Sequence, residues 1–196
     1  MNKMTFPLLF ISIFLTSCVG NFNPFFSRRQ GISYPSDTSE YAKTGWNNFY
    51  KHNLNEAKVA FEKGIKKDSN DYNCHWGLGG VFLERKKYND SIIHLEKANS
   101  ITKQKNKMIL TGLAFVYAMK AKQTNNKILY NKALNALSIA ESIDPRYGYI
   151  YVNKAVVLAF QGKSKEAKLM LKKGEKLGAR INNFTISLVK GKKKEK

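Results

Sequence analysis

Side chains able to do chemistry are few in this chain, and their spacing keeps them apart. Of the three histidines, His52, His75 and His94, no two form the HExxH arrangement that places two imidazoles on one helix face beside a general base. Cys74 and His75 are adjacent. On a helix, neighbouring side chains point apart, so the pair is not a nucleophile with its base. Two cysteines, Cys18 and Cys74, are too few for a four-thiolate zinc site or a disulfide-dense scaffold. Gly77-Leu78-Gly79-Gly80 falls inside a helical pattern, where glycines serve close helix approach rather than a phosphate cradle. His94 is expected on the surface of a second helix, and Cys74, in an apolar pattern, as a buried thiol. These residues predict no catalytic centre, no metal site and no cofactor, and hence no enzyme.

The elements that carry these residues are bounded by composition. A chain of 196 residues with 43% hydrophobic residues has enough apolar material for one domain and is not wholly disordered. It has one apolar run, so it is not a multi-span membrane protein. The formal net charge of +20 suggests an acidic partner such as nucleic acid or an anionic membrane. The alternative is genomic bias, since Lys, Asn and Ile are abundant together.

The first residues bear on the compartment. Lys3 precedes an apolar run from Phe6 to Leu15, too short for a spanning helix, which needs about 20 residues. It has the size of a signal-peptide core. The run ends in Leu15-Thr16-Ser17-Cys18, which resembles the bacterial lipobox. That resemblance implies cleavage before Cys18, thioether lipidation of its sulfur and N-acylation of the new terminus, for example by palmitate. Two or more acyl chains anchor a protein stably. Val19 rather than Asp after the cysteine implies retention in the outer membrane of a Gram-negative envelope. An ordinary secretory signal with an incidental cysteine is the alternative. A positively charged protein exported from the cytoplasm is not expected to bind nucleic acid.

Residues 18–37 mix Pro24, Pro35, Gly20 and Gly31 with polar residues and show no period, the pattern of a flexible tether. Phe22, Phe25 and Phe26 with Arg28 and Arg29 suit either a bilayer surface or a plain linker. Asp37 followed by Glu40 predicts a helix N-cap.

From Thr38 onward a helical pattern repeats. LNEAKVAFEKG, YNDSIIHLEKA, YNKALNALSIA and SKEAKLMLKKG begin at positions 54, 88, 130 and 164. Each has a small residue (Ala57, Ser91, Ala133, Ala167), then a large one (Phe61, Leu95, Leu137, Leu171), then a second small one (Gly64, Ala98, Ala140, Gly174). The small markers stand 34, 42 and 34 residues apart. A partner small residue precedes the marker by twelve positions at Gly45, Gly79 and Ala155. In the third unit Gly112 is taken as its counterpart, with an insertion over 118–127 that lengthens the turn or the first helix. This pattern resembles the tetratricopeptide repeat (TPR), a helix–turn–helix unit of 34 residues. Pro145, Tyr151 and Gly162 also match family positions.

The resemblance implies an all-α, TPR-type solenoid of about four repeats. The expected organisation is a signal peptide at 1–17, a tether at 18–37, and units at 38–71, 72–104, 105–147 and 148–180. A cap and basic tail would follow at 181–196. In this family the first helices line a concave groove, which implies a partner-binding surface. The expected lining is Trp46, Phe49 and Tyr50 in the first unit and Trp76 and Leu83 in the second. Ile109, Leu113 and Tyr117 would follow in the third and Tyr149 in the fourth. The alternative is that these residues pack on one another, on the tether or on 181–189. The carboxylate clamp of chaperone-tail binders is not matched: its later positions hold Gly77, Asn106 and Leu110.

The functional expectation is a membrane-anchored scaffold or adaptor that binds protein or peptide partners in the cell envelope. The resemblance extends to TPR lipoproteins that act as accessory factors in outer-membrane assembly. The alternative is a basic surface that binds anionic lipid or cell-wall polymer. Against it, Lys is spread over the second helices, and only Lys190–Lys196 forms a true cluster.

Overall fold

The computed structural model describes residues 38–190, and every regular element within them is helical. In order they are α1 (Glu40–Tyr50), α2 (Leu54–Lys67), α3 (Tyr72–Glu84), α4 (Tyr88–Ile101), α5 (Lys107–Thr124), α6 (Lys127–Ile143), α7 (Tyr149–Phe160), α8 (Ser164–Lys176) and α9 (Asn183–Lys190). The signal region, Cys18 and the tether expected at 18–37, together with residues 191–196 of the tail, lie outside the described residues. No described helix is long and apolar enough to cross a membrane.

Short polar side chains start the helices. Ser39 Oγ accepts from the Ala42 amide at 3.2 Å, and Asp71 Oδ1 accepts from the Cys74 amide at 3.0 Å. Asn106 and Asn126 cap α5 and α6 in the same way. Each satisfies an amide that the first helical turn leaves unpaired. The first cap is therefore Ser39 and not Asp37: a hydroxyl one residue before Glu40 reaches the third amide of the helix, and Asp37 stands too far back. Within each hairpin one residue adopts a left-handed backbone: His52, Lys86, Asn125 and Gly162. His52 is thus a turn residue at the surface.

Successive helices pair as α1–α2, α3–α4, α5–α6 and α7–α8, and each pair stacks on the next. Small residues set the stacking distance. A Cβ added at Gly45 would sit 2.4 Å from the Phe61 ring, and one at Gly77 2.2 Å from the same ring. The ring thus fills the space between α1, α2 and α3, and only hydrogen fits on either side. Gly79 meets Leu95 at 2.5 Å in the same test, and the buried Ser91 hydroxyl donates to the Gly79 carbonyl at 2.7 Å. At the far end Gly174 packs on Gly148 and Val152.

The third pair departs from this pattern. A Cβ at Gly112 would meet nothing within 4 Å, so Gly112 is not the close-approach residue of its helix. The packed small residue twelve positions before Ala133 is Ala121, fully buried. Between the two lie the extra residues of the unit. They form helix rather than loop: α5 has 18 residues against 13 in α3, α6 has 17 against 14 in α4, and the turn is only Asn125 and Asn126. The hairpin is longer on both sides. After α8 the chain turns through Gly178, at φ 80°, and α9 returns to pack on α7 and α8. Val189, 1% exposed, joins Ala155 and Ala167 there.

Candidate functional site

The inner wall of the array is built by α1, α3, α5 and α7. At its first end aromatic rings gather around Trp46. It lies edge-to-face with Trp76 at 5.1 Å, with Phe61 at 5.3 Å and with Phe49 at 5.6 Å, and stacks on Tyr50 at 5.9 Å. Such offset and T-shaped contacts suit the ring quadrupoles and add to area burial. Trp46 and Phe49 are buried as a result, and Tyr50 and Trp76 are half-buried. Leu83 is buried at the end of α3. Tyr149 is half-buried at the start of α7, its ring 5.5 Å from that of Tyr147.

The third unit places its residues differently. Ile109 is fully buried, so it belongs to the packed interior. Leu113 and Tyr117 do not join the inner wall. They form, with Leu110, the floor of a cleft between the second helices α4 and α6, with a volume of about 550 Å³. The reason is the register of α5. This helix is apolar on every side, and a phase set from Gly112 turns its faces away from those that pack.

That outer cleft was not singled out by sequence reasoning. Its walls are Glu96, Asn99 and Ser100 of α4 with Lys103 of the turn that follows it, and Lys132, Asn135, Ala136 and Ile139 of α6. The two stripes have the same i, i+3, i+4, i+7 spacing, 36 residues apart, a signal that pairing the second helices would have found. The Tyr117 hydroxyl donates to Glu96, and the Lys132 ammonium lies 5.6 Å from the ring centroid. Burial, reinforced by the Glu96 carboxylate, raises the Tyr117 phenol well above its ordinary range. It stays a neutral donor. The buried Oδ1 of Asn99 has no hydrogen-bond partner among the described residues.

Other chemistry-bearing groups are structural. Cys74 is a buried free thiol. Burial, then its hydrogen bond to Asp71, pushes its ionisation far up, which leaves no thiolate to act as nucleophile. His94 is not a surface residue of α4. It is half-buried, its Nδ1 3.1 Å from Nδ1 of His75, and it stacks on Phe82 at 5.4 Å. His75 Nε2 is 3.2 Å from the Ser69 carbonyl. Burial lowers both histidine pKa values. With the carbonyl taking a proton from Nε2, Nδ1 of His75 is the acceptor and His94 the donor. Among the described residues no group of three His, Cys, Asp or Glu side chains is placed to hold a metal ion.

The helix pairs, their stacking and the small residues at their contacts can be compared with known proteins. No family model and no curated protein matches the sequence. Solved structures do. TTC0263 of Thermus thermophilus, described as a thermophilic TPR protein, superposes with a TM-score of 0.64 at 20% identity, over 70% of this chain and 73% of that one. The fold is a TPR solenoid. MamA from MSR-1 superposes with a TM-score of 0.54 at 18% identity, over 74% of this chain and 80% of that one. Identities this low carry the fold alone. In a TPR solenoid each unit touches only its neighbours, and the surfaces that remain are an inner wall of first helices and outer clefts between second helices.

Proposed function

We propose that this protein is a TPR scaffold that binds protein or peptide partners in the bacterial cell envelope, held at the outer membrane by lipid on Cys18. The observation that supports the reading best is the inner wall. It gathers Trp46, Trp76 and Tyr50 from two units into one aromatic cluster, the residue types that anchor binding energy at interfaces. A partner would present an apolar helix or extended segment to it. Under this reading the protein positions partners and performs no reaction, and an accessory role in outer-membrane assembly is the finer form of the proposal.

Two measurements test it. On fractionation of intact cells the parent partitions with the envelope and Cys18→Ser becomes soluble. An acyl-labelled, membrane-bound Cys18→Ser product would overturn the anchor. A photo-crosslinker at Tyr50 is expected to capture an envelope protein from intact cells, and Trp76→Ala to release it. If the partner were instead an anionic polymer, binding would weaken steeply with salt, whereas apolar binding would not.

A further inference from the structure

The third unit breaks the repeat at positions that face the cleft between α4 and α6. Two places after the small marker, the other units expose a branched apolar residue, Val59, Ile93 and Leu169. The third unit has Asn135 there. Six places after the marker, the others carry an exposed lysine, Lys63, Lys97 and Lys173, and the third has the half-buried Ile139. Both Asn135 and Ile139 line the cleft. Stacking of the units requires neither exchange, because the buried positions of α6, Ala133, Leu137 and Ala140, keep the pattern of the repeat. An outward position that gives up lysine for isoleucine loses solvation unless something covers it.

The shape of the cleft limits what that cover is. α4 and α6 each pack on α5, and as antiparallel neighbours of one helix they run parallel to each other. The Tyr117 ring fixes their level: its hydroxyl donates to Glu96, and Lys132 lies over its face. Glu96 therefore stands opposite Lys132, Asn99 opposite Asn135, and Lys103 opposite Ile139. From the first pair to the last is about 10 Å along the helices, the length of about three residues of extended chain. Leu110 and Leu113 lie beneath. The middle pair are carboxamides, each a donor and an acceptor, the groups that match a peptide unit. Asn99 Oδ1 is buried without a hydrogen-bond partner among the described residues, a cost that a peptide N–H would remove. The soft terminal torsion of Asn turns that oxygen toward the trough. At one end Glu96 and Lys132 are both engaged by Tyr117. At the other, the exposed Lys103 meets no carboxylate of the lining, since Glu96 is its only acid among the described residues.

We propose that this outer cleft binds a short extended segment of a partner protein, with an apolar side chain on Leu110, Leu113 and Ile139 and an acidic neighbour at Lys103. Consecutive side chains of an extended chain point to opposite sides. The apolar one enters the floor, and the acidic one stays at the rim where Lys103 stands. Asn99 and Asn135 hold the main chain between them. The cleft is separate from the inner wall, and neither site depends on the other.

The full chain, purified in mild detergent, is used to select from a phage-displayed library of random heptapeptides. Sequences that join Leu, Ile, Val or Met to Asp or Glu are expected. The commonest, made as a fluorescein-labelled peptide, should bind the parent and Trp76→Ala alike. Ile139→Lys and Asn135→Leu, which restore residues of the other units, should each weaken it about tenfold with the helical signal unchanged. Lys103→Glu should turn the selected acid into Lys or Arg. A library that yields no such sequence overturns the proposal. So does a peptide released by Trp76→Ala and not by Ile139→Lys, an outcome that leaves the inner-wall reading standing. Dimers of the parent that Ile139→Lys dissociates would make a second copy the occupant and overturn it too. If Ile139→Lys loses helix, Asn135→Leu and Lys103→Glu, both at exposed positions, decide.

Discussion

Phe61 is the side chain on which the first two units close. It is fully buried and touches the space of two glycines at once, Gly45 and Gly77. Phe61→Ala is expected to cost about 3–5 kcal/mol in urea unfolding, because α1, α2 and α3 would have to collapse together to fill the void. Gly77→Ala should cost about 1–3 kcal/mol, since its methyl meets the ring. Gly112→Ala should instead stabilise by about 0.5–1 kcal/mol: its Cβ enters open space and the helix loses its glycine entropy cost. Equal effects of the two glycine substitutions would contradict the packing described.

The His75–His94 pair gives the residue scale its pH dependence. Burial lowers both values from an ordinary 6.5. His75 also faces Lys97, which lowers it further, and Asp71, which opposes. His94 faces His75 and Lys58 on one side of the balance and Asp90 and Glu62 on the other. The unfolded chain therefore binds more protons than the folded one once the pH falls below about 6.5. Stability is full above that pH and declines as the solution is acidified toward the lowered folded values. The urea midpoint of the parent should fall between pH 7 and pH 5 more steeply than that of His94→Gln, and parallel profiles would show that the pair does not titrate with folding.

At the scale of elements, α9 closes the open end of the array. Val189 supplies its buried contact with Ala155 and Ala167. Val189→Asp should release α9 and raise hydrogen exchange in α7–α9 while leaving α1–α4 protected, because each unit supports only its neighbours. Uniform loss of protection would mean that the array unfolds as one body. This is also the scale at which the sequence was most and least legible. The stacking was readable, since Ala57, Phe61 and Gly64 and their counterparts must recur wherever two helices touch closely. The face of α5 was not. It is apolar all round, so no polar side marks its outside, and spacing alone does not tell the open Gly112 from the buried Ala121. That one misplaced phase carried Leu113 and Tyr117 to the wrong surface and hid the cleft between α4 and α6. His94 escaped for another reason: its partner His75 is on a different helix, and a pair joined across helices leaves no local spacing.

At the scale of the molecule, the excess of lysine is a property of outward faces. Many lysines stand exposed on second helices, such as Lys63, Lys66, Lys97, Lys132, Lys168 and Lys172, where they keep the surface solvated. The longer α5–α6 hairpin has a different kind of consequence. An array of identical units presents the same features at every step, so a bound segment slid along by one unit would find an equivalent seat and its position would be degenerate. Here one unit is unlike the others, its helices 18 and 17 residues long. A segment lying along the solenoid meets this tall unit at a single place. The hairpin thus acts as a ruler mark: it gives the array a direction and an origin, and so a unique alignment for whatever lies along it.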